Sequence, residues 1–417
     1  MKIKFAPENK KIVLYFYIYA FKRASAGVVT LYKIIDILNR MGIPSYVLAE
    51  PKTIGNFHYS RFFSTQNYIT PILDLMELDR HISCNYKPVV IYTDSSDLNP
   101  LKASNIIHML FYFNGKFTGR KVIPNINEGL VYFSDAIFKE IKRSNKFLFA
   151  SRISFPIADP KNFYVDKNKN KNKKIYYYGE KFDHAFHMKF PRDIEKNCIR
   201  ILRDHDIHNF DKYREDLANA WLLHAFEDTA VIYEALLSGC PVNIHPSGFF
   251  PNGGMPLATS ELGKFGLIFK SNPTVRDVEK ARNEIPLFKK RYKSWMDSGL
   301  NDVIDFSHNL DKFSHGFNDN LIKSLISNIV TTRSLYLNAA KNNLGNYIDS
   351  KIFLNNIIGP YLSDVYADNT KFNHKRFFFL NLNFKRIFGD TKIFLLSKHV
   401  FKILPLRIRN FILKLIF

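Results

Sequence analysis

The apolar positions of this chain change their period along its length, and each change predicts an element. Ile12 to Phe21 is an uninterrupted apolar run between Lys11 and Lys22. It is too short to cross a bilayer and has no small-residue cleavage site after it, so it predicts a buried first strand, Ile12 to Tyr19. The loop Lys22-Arg-Ala-Ser-Ala-Gly27 follows, and then Val28, Leu31, Ile35 and Leu38 recur at helical spacing until Gly42 and Pro44 close the helix. Val47-Leu48 resumes an extended pattern. The chain therefore opens as a β-α-β unit in which Gly27 lets a ligand or partner backbone approach the helix N-terminus, or simply makes a tight turn. Val89 to Tyr92 and Phe147 to Ala150 read as further short strands. Ala103, Ile106, Ile107, Leu110 and Phe111 fall at helical spacing and predict a helix after the Asn99-Pro100 break. Alternation of strand and helix over this half predicts a doubly wound sheet.

The pattern breaks at Asp166-Lys-Asn-Lys-Asn-Lys-Asn-Lys-Lys174, a polar, basic, low-complexity tract that reads as a solvated linker or loop. Ile175 to Gly179 then begins a second alternating half. Its sharpest element is a short helix, Ala230 to Ser238, with Asp228 or Thr229 as cap, Gly239 at the left-handed C′ position and Pro241 beyond. Val231, Ile232, Ala235 and Leu236 form its buried stripe, and Glu234 is left over. Helical side chains lean toward the N-terminus, so the Glu234 carboxylate is expected near the end where free N–H groups collect an anion. A diphosphate at those N–H groups with a ribose near the glutamate fits this layout; a capped helix with a solvated glutamate is the alternative.

Length and charge narrow the reading. A chain of 417 residues exceeds what one core usually holds, so two domains are expected. Lys and Arg total 60 against 38 Asp and Glu, and the net charge of +22 implies an anionic partner: nucleotide, nucleic acid or acidic lipid. Cys84, Cys198 and Cys240 have neither disulfide-framework nor zinc spacing, which suits a reducing compartment. With no run of membrane-spanning length, a cytoplasmic location is expected.

The string Glu234-Ala235, Gly239, Pro241-Val242 resembles the Glu-Ala-x-x-x-Gly-x-Pro-Val segment of the two-domain, double-Rossmann glycosyltransferases called GT-B. The resemblance implies an α/β fold of two Rossmann-like doubly wound domains facing across a cleft, and a glutamate, here Glu234, that holds the ribose of a nucleotide-sugar donor. Retaining members carry another glutamate eight positions earlier; that position here is Phe226, followed by Glu227 and Asp228. Which carboxylate meets the donor sugar, and whether the reaction is retaining or inverting, stays open. Asn99-Pro-Leu-Lys-Ala103 and Asn114-Gly115 look like segments of bacterial enzymes that attach sugars to lipid-linked surface glycans. The resemblance covers most of residues 10 to 270, is sharp only at the Glu234 segment, and implies an O-antigen, capsule or lipopolysaccharide pathway. Expected domains are 1-165 on the acceptor side, the linker 166-174, a nucleotide-sugar domain at 175-345, returning helices at 346-370 and a tail at 371-417.

Other candidates are weighed beside it. Asp228, with Asp94 after the Val89 to Tyr92 strand, is a candidate catalytic residue; Asp94 and Asp97 equally suit a turn cap. Thr229, Gly27, Glu227 and Lys181 are candidate donor contacts, Lys181 by its place after the strand ending at Gly179. His245-Pro246 resembles the His-Pro pair of sialyl- and Kdo-transferases, which would place His245 near a CMP-sugar phosphate; a structural histidine at a turn is the alternative. Ser247 to Gly254 reads as a mobile loop able to close over a donor, or as plain surface. Asp183, His184 and His187 do not complete a metal motif, and neither metal nor cofactor is expected. From Lys371 to Lys414 the cations face only Asp390 and are interleaved with Phe, Ile and Leu, so the tail is expected to be basic and amphipathic and to lie on an anionic membrane, peripheral at the inner face. The alternative is packing against the first domain. The expected activity is sugar transfer from a nucleotide-sugar to a lipid-linked glycan. The alternatives are an inverting CMP-sugar transferase and a nonenzymatic basic protein for membrane or nucleic acid, the nucleic acid not being expected.

Overall fold

The computed structural model describes residues 11–19, 25–54, 69–94, 99–115, 119–142, 146–156, 158–165, 171–179, 190–203, 207–250, 255–256 and 258–343. The chain divides into two compact units, Met1–Phe57 with Ser64–Ile329, and His58–Phe63 with Val330–Phe417. Of the second, Val330 to Asn343 are described, all helical.

Two wholly parallel sheets organise the first unit. The first contains β1 (Ile12–Ile18), β2 (Ser45–Ala49), β3 (Lys87–Thr93), β4 (Ile106–Leu110), β5 (Gly129–Tyr132) and β6 (Phe149–Arg152) in the order β2-β1-β3-β4-β5-β6. All seven residues of β1 are buried, which is why its sequence is solidly apolar rather than alternating. Helix α1 (Ala26–Arg40) starts where the Ser25 side chain accepts from the Val28 N–H and buries Val28, Leu31, Ile35 and Leu38, as their spacing predicts. Two shorter helices, α2 (Leu75–Ser83) and α3 (Asp135–Lys142), complete this half.

One element differs in kind from its expectation. The helix expected across Ala103 to Phe111 is the strand β4, paired with β3 through Val90↔Ile106 to Thr93↔Met109. A short apolar run satisfies the helical period and the continuous pattern of a doubly covered strand equally well, and all five β4 residues are buried. The preceding turn also commits the chain. Lys102 has φ 56, and the Asn105 amide donates to Pro88 O at 2.9 Å and to His315 O at 2.7 Å, fixing the entry to β4.

The second sheet contains β7 (Lys173–Tyr177), β8 (Ile199–Arg200), β9 (Ala220–Glu227), β10 (Val242–Phe249) and β11 (Leu267–Ile268), ordered β11-β10-β9-β7-β8. Its helices are α4 (Arg192–Asn197), α5 (Ile207–Ala218), α6 (Ala230–Leu237) and α7 (Thr259–Leu262). The basic tract is not wholly solvated. Lys171 Nζ donates to Ala218 O and Ser238 O at 2.9 Å each, satisfying carbonyls at the ends of two helices, and Lys173 opens β7. Asp166 to Asn170 lie outside the described residues. Ser247 to Phe249, expected in a loop, extend β10 past a register break in which Ile244↔Ala225 is followed by Phe249↔Glu227.

Helix α8 (Val275–Asn309) joins the halves. A Thr274–Asp277 capping box starts it, and Val278, Ile285, Phe288, Tyr292, Trp295 and Phe306 lie along one buried stripe. Its first part packs in the second-sheet core and its last part on β6, with Asp302 accepting from the Ser154 N–H at 3.1 Å and Phe306 against Phe149. The connecting segment is clamped between helices: Trp295 Nε1 donates to Ser154 Oγ at 2.9 Å, Tyr292 to Ala158 O at 2.7 Å, and Lys33 of α1 to Pro156 O at 3.3 Å. A last helix, α9 (Asp319–Asn343), returns Leu321, Leu325 and Ile329 to the first-sheet core, ahead of the 346–370 stretch, which lies outside the described residues.

Candidate functional site

Each sheet reverses its strand order once, and a parallel sheet opens a crevice at the carboxyl ends of the strands flanking that reversal. In the first sheet the reversal lies between β1 and β3, and two expected site residues flank it. Gly27 is in the first turn of α1, where, among the described residues, an added Cβ would find nothing nearer than Phe111 at 4.0 Å. Asp94 follows the last residue of β3 and is half-buried. In the second sheet the reversal lies between β7 and β9, and most of the remaining candidates gather at it.

Strand β9 ends in Glu227, with Asp228 next and Thr229 capping α6. Glu227 and Asp228 are buried, at 3% and 8% exposure. Thr229 has extended backbone and its side chain accepts from the Val231 N–H at 3.5 Å. Across the crevice, Gly179 follows β7 so closely that an added Cβ would lie 2.8 Å from Glu227 Oε1 and 2.9 Å from the Tyr177 hydroxyl. The glycine thus makes room for a carboxylate and a phenol. The Tyr177 hydroxyl also hydrogen-bonds Thr229, and burial followed by the Glu227 charge pushes its pKa up to about 12.

The first sheet contributes a neighbour. Tyr112, in the loop after β4, is buried, and its pKa is raised by burial and then by the charges of Asp228 and Glu227. The carboxyl ends of both sheets therefore lie within electrostatic reach of one another here. Tyr233 of α6 is raised likewise by burial, then by Asp228, with Glu261 contributing; its ring meets Trp295 edge-on at 6.2 Å. Beyond that aromatic layer lies a hollow of 330 Å³ lined by Glu261, Arg291, Ser294, Trp295 and Ser298.

Glu234 lies on α6 and is not solvated. It is 3% exposed, Oε1 accepts from Arg203 Nη2 at 2.6 Å, and Oε2 accepts from the Tyr213 hydroxyl. Burial lowers the Arg203 pKa, but Glu234, Tyr213 and their hydrogen bonding outweigh it, and the net shift is upward. Tyr213 is raised by burial and then by Glu234. Neither Arg203, after β8, nor Tyr213, on α5, is signalled by a motif. The one clue in the sequence is an orphan carboxylate on a helix otherwise apolar enough to be buried, which requires a buried cation somewhere.

His245 lies inside β10 rather than at a turn. It stacks on Phe226 at 4.3 Å and 8°, and its Nε2 is 2.8 Å from His224 Nδ1 and 3.2 Å from Asn243 Nδ2. Burial lowers both histidines to about 4. Lys181, Asp97, Asp183, His184, His187 and the 371–417 tail lie outside the described residues. Among the described residues no group of three or more His, Cys, Asp or Glu could hold a metal ion, and no helix is long and apolar enough to cross a membrane.

No family model and no curated protein matches this chain. Among solved structures it is similar to a glycosyltransferase from Rickettsia africae ESF-5, at 11% identity over 80% of this chain and 100% of that one, with a TM-score of 0.38. It is also similar to spinosyn forosaminyltransferase SpnP, at 12% identity over 72% and 99%, TM-score 0.38. A third is WaaG, a glycosyltransferase involved in lipopolysaccharide biosynthesis, at 11% identity over 77% and 100%, TM-score 0.33.

Proposed function

We propose that this chain is a glycosyltransferase that moves a sugar from a nucleotide-sugar donor to a glycan acceptor, with the donor in the β7/β9 crevice. The observation that carries the reading is the convergence there of Gly179, Glu227, Asp228 and the N-terminal turn of α6, beside a buried Arg203–Glu234 pair. The parts have distinct work. The positive end of the α6 dipole and nearby cations stabilise charge that builds on the leaving diphosphate, with Thr229 at the anion end. Asp228 or Glu227, near the donor sugar, and Asp94, at the other sheet's crevice, are the carboxylates able to take a proton from an acceptor hydroxyl. Gly27, at the first-sheet crevice, is a further candidate donor contact. No step calls on a metal or cofactor.

The finer reading is that the acceptor is a lipid-linked glycan of a bacterial surface polysaccharide, and that the basic tail at 371–417 brings the enzyme to the inner face of an anionic membrane. Purified protein screened by thermal shift against nucleotide sugars tests the core claim, since a ligand that binds only the folded state raises the melting temperature. One nucleotide series should stabilise the protein, and radiolabelled sugar should pass to extracted lipid-linked glycan. A response to CMP-sugars alone would move the reading to a CMP-sugar transferase with His245 at the phosphate. No response to any nucleotide sugar would sink it in favour of a nonenzymatic basic protein.

A further inference from the structure

Glu234 is held by two protein groups. Both of its oxygens are engaged, one by Arg203 and one by Tyr213, and the side chain is 3% exposed. These partners come from separate elements, the segment after β8 and helix α5, which packs on α6. An ion pair largely withdrawn from water offers little stability over well-packed apolar side chains, because removing charges from solvent offsets most of their attraction. Its presence calls for a use other than packing. Arg203 retains 12% side-chain exposure, and Tyr177, in electrostatic reach of both Arg203 and Glu234, hydrogen-bonds the α6 cap Thr229. Arg203 also follows β8, which pairs in parallel with β7, so it comes off the carboxyl edge of the second sheet and is held by a residue of the helix whose first turn can collect an anion.

We infer that Arg203 binds the anionic, phosphate-bearing half of the nucleotide, and that Glu234 and Tyr213 are positioning residues that act on the nucleotide through Arg203 rather than by contact with the ribose. The inference rests on the proposed nucleotide site and names which residue meets which part of the ligand. A guanidinium presents paired N–H groups in a fixed plane, useful to phosphate oxygens only if that plane is held. Glu234 grips one edge of it, and the Tyr213 hydroxyl keeps Glu234 from turning away. The Glu234 carboxylate would then be needed for the charge and orientation of its partner, while the ribose meets other groups.

The test is calorimetric titration with the diphosphates of uridine, guanosine, adenosine and thymidine, each beside its own nucleoside, on the full chain. For the base that binds, Arg203→Ala should weaken the diphosphate about tenfold or more and leave the nucleoside within about twofold, because only the phosphate contact is lost. Glu234→Gln and Tyr213→Phe should weaken the diphosphate in the same selective way by a smaller factor. Arg203→Lys keeps the charge but not the fork, serves where Arg203→Ala does not fold, and should also lose diphosphate selectively. Equal weakening of nucleoside and diphosphate by Glu234→Gln would place its carboxylate on the ribose and overturn the inference. So would diphosphate affinity unchanged in Arg203→Lys and Arg203→Ala. A wild-type protein that binds none of the diphosphates overturns the proposed function itself, an outcome distinct from either.

Discussion

The paired histidines in the second sheet set an acid limit on this fold that can be worked out. His224 and His245 are each 6% exposed, and both have pKa values of about 4 in the folded chain against an ordinary value of 6.5, burial being the first cause and, for His224, the neighbouring ring the second. A depressed histidine pKa means that the folded state refuses a proton that the unfolded chain accepts. Above pH 6.5 neither state is protonated and the stability contribution is fully present; as pH falls from 6.5 toward 4, the unfolded chain gains protons alone and stability is lost. At about pH 5 this amounts to about 2 kcal/mol for each histidine, taking about 1.4 kcal/mol per pKa unit, and up to about 4 kcal/mol for the pair. That is a large part of the 5–15 kcal/mol typical of a folded domain, roughly stated. The assay is urea unfolding of wild type and His224→Gln at about pH 7.5 and about pH 5. The variant lacks one titrating ring and leaves the burial that lowers the other, so its loss of stability between the two pH values should be smaller by about 2 kcal/mol. His81, also lowered to about 4 by burial, acts in the same direction in both proteins and cancels. Parallel losses in wild type and variant would refute the reasoning.

Four further outcomes follow from the site and its supports. Gly179→Ala should fold yet lose transfer activity by about tenfold or more, since the added Cβ displaces Glu227 Oε1 from 2.8 Å; unchanged kcat/KM would remove Glu227 from the site. Thr229→Val should cost about 1 kcal/mol of stability from the lost cap and raise KM for the donor, read from thermal melts and steady-state kinetics. Gly299→Ala brings a Cβ to 2.6 Å from Ser154 O, a backbone atom that cannot turn aside, and should destabilise by about 1–3 kcal/mol in urea unfolding despite alanine's better helix propensity. Truncation before Lys371 should abolish sedimentation with phosphatidylserine vesicles and transfer to lipid-linked acceptor while donor binding persists, each basic residue at the surface being worth about 1 kcal/mol.

What was legible in the sequence is what local chemistry decides. β1, α1 and α6 could be read because a solid apolar run, a stripe of period 3.6 and a cap followed by Gly239 each have one physical solution; Gly239 indeed has φ 78. β4 could not, because five consecutive buried positions fit both periods and only pairing with β3 decides between them. Lys171 was hidden by its neighbours: in a run of alternating Lys and Asn nothing marks the one lysine that finds two helix-end carbonyls. The candidate site was half legible. Glu227, Asp228, Thr229 and Glu234 fall within eight positions of one another and stand out as candidates, whereas Arg203 and Tyr213 reach Glu234 from 31 and 21 positions away through tertiary packing alone. The long apolar spacing of α8 is regular, but Pro286 inside it reads as a stop, and the helix runs through it.

Helix α8 also decides how the molecule comes apart. Because its stripe serves as floor for the second-sheet core from Ile285 to Trp295 and as a buttress for β6 from Asp302 to Phe306, neither sheet can lose its packing without baring apolar surface in the other. The two sheets share one structural member, and their thermodynamics are tied through it. The described residues of the first unit should therefore melt as one cooperative block rather than sheet by sheet, with calorimetric and van't Hoff enthalpies in agreement.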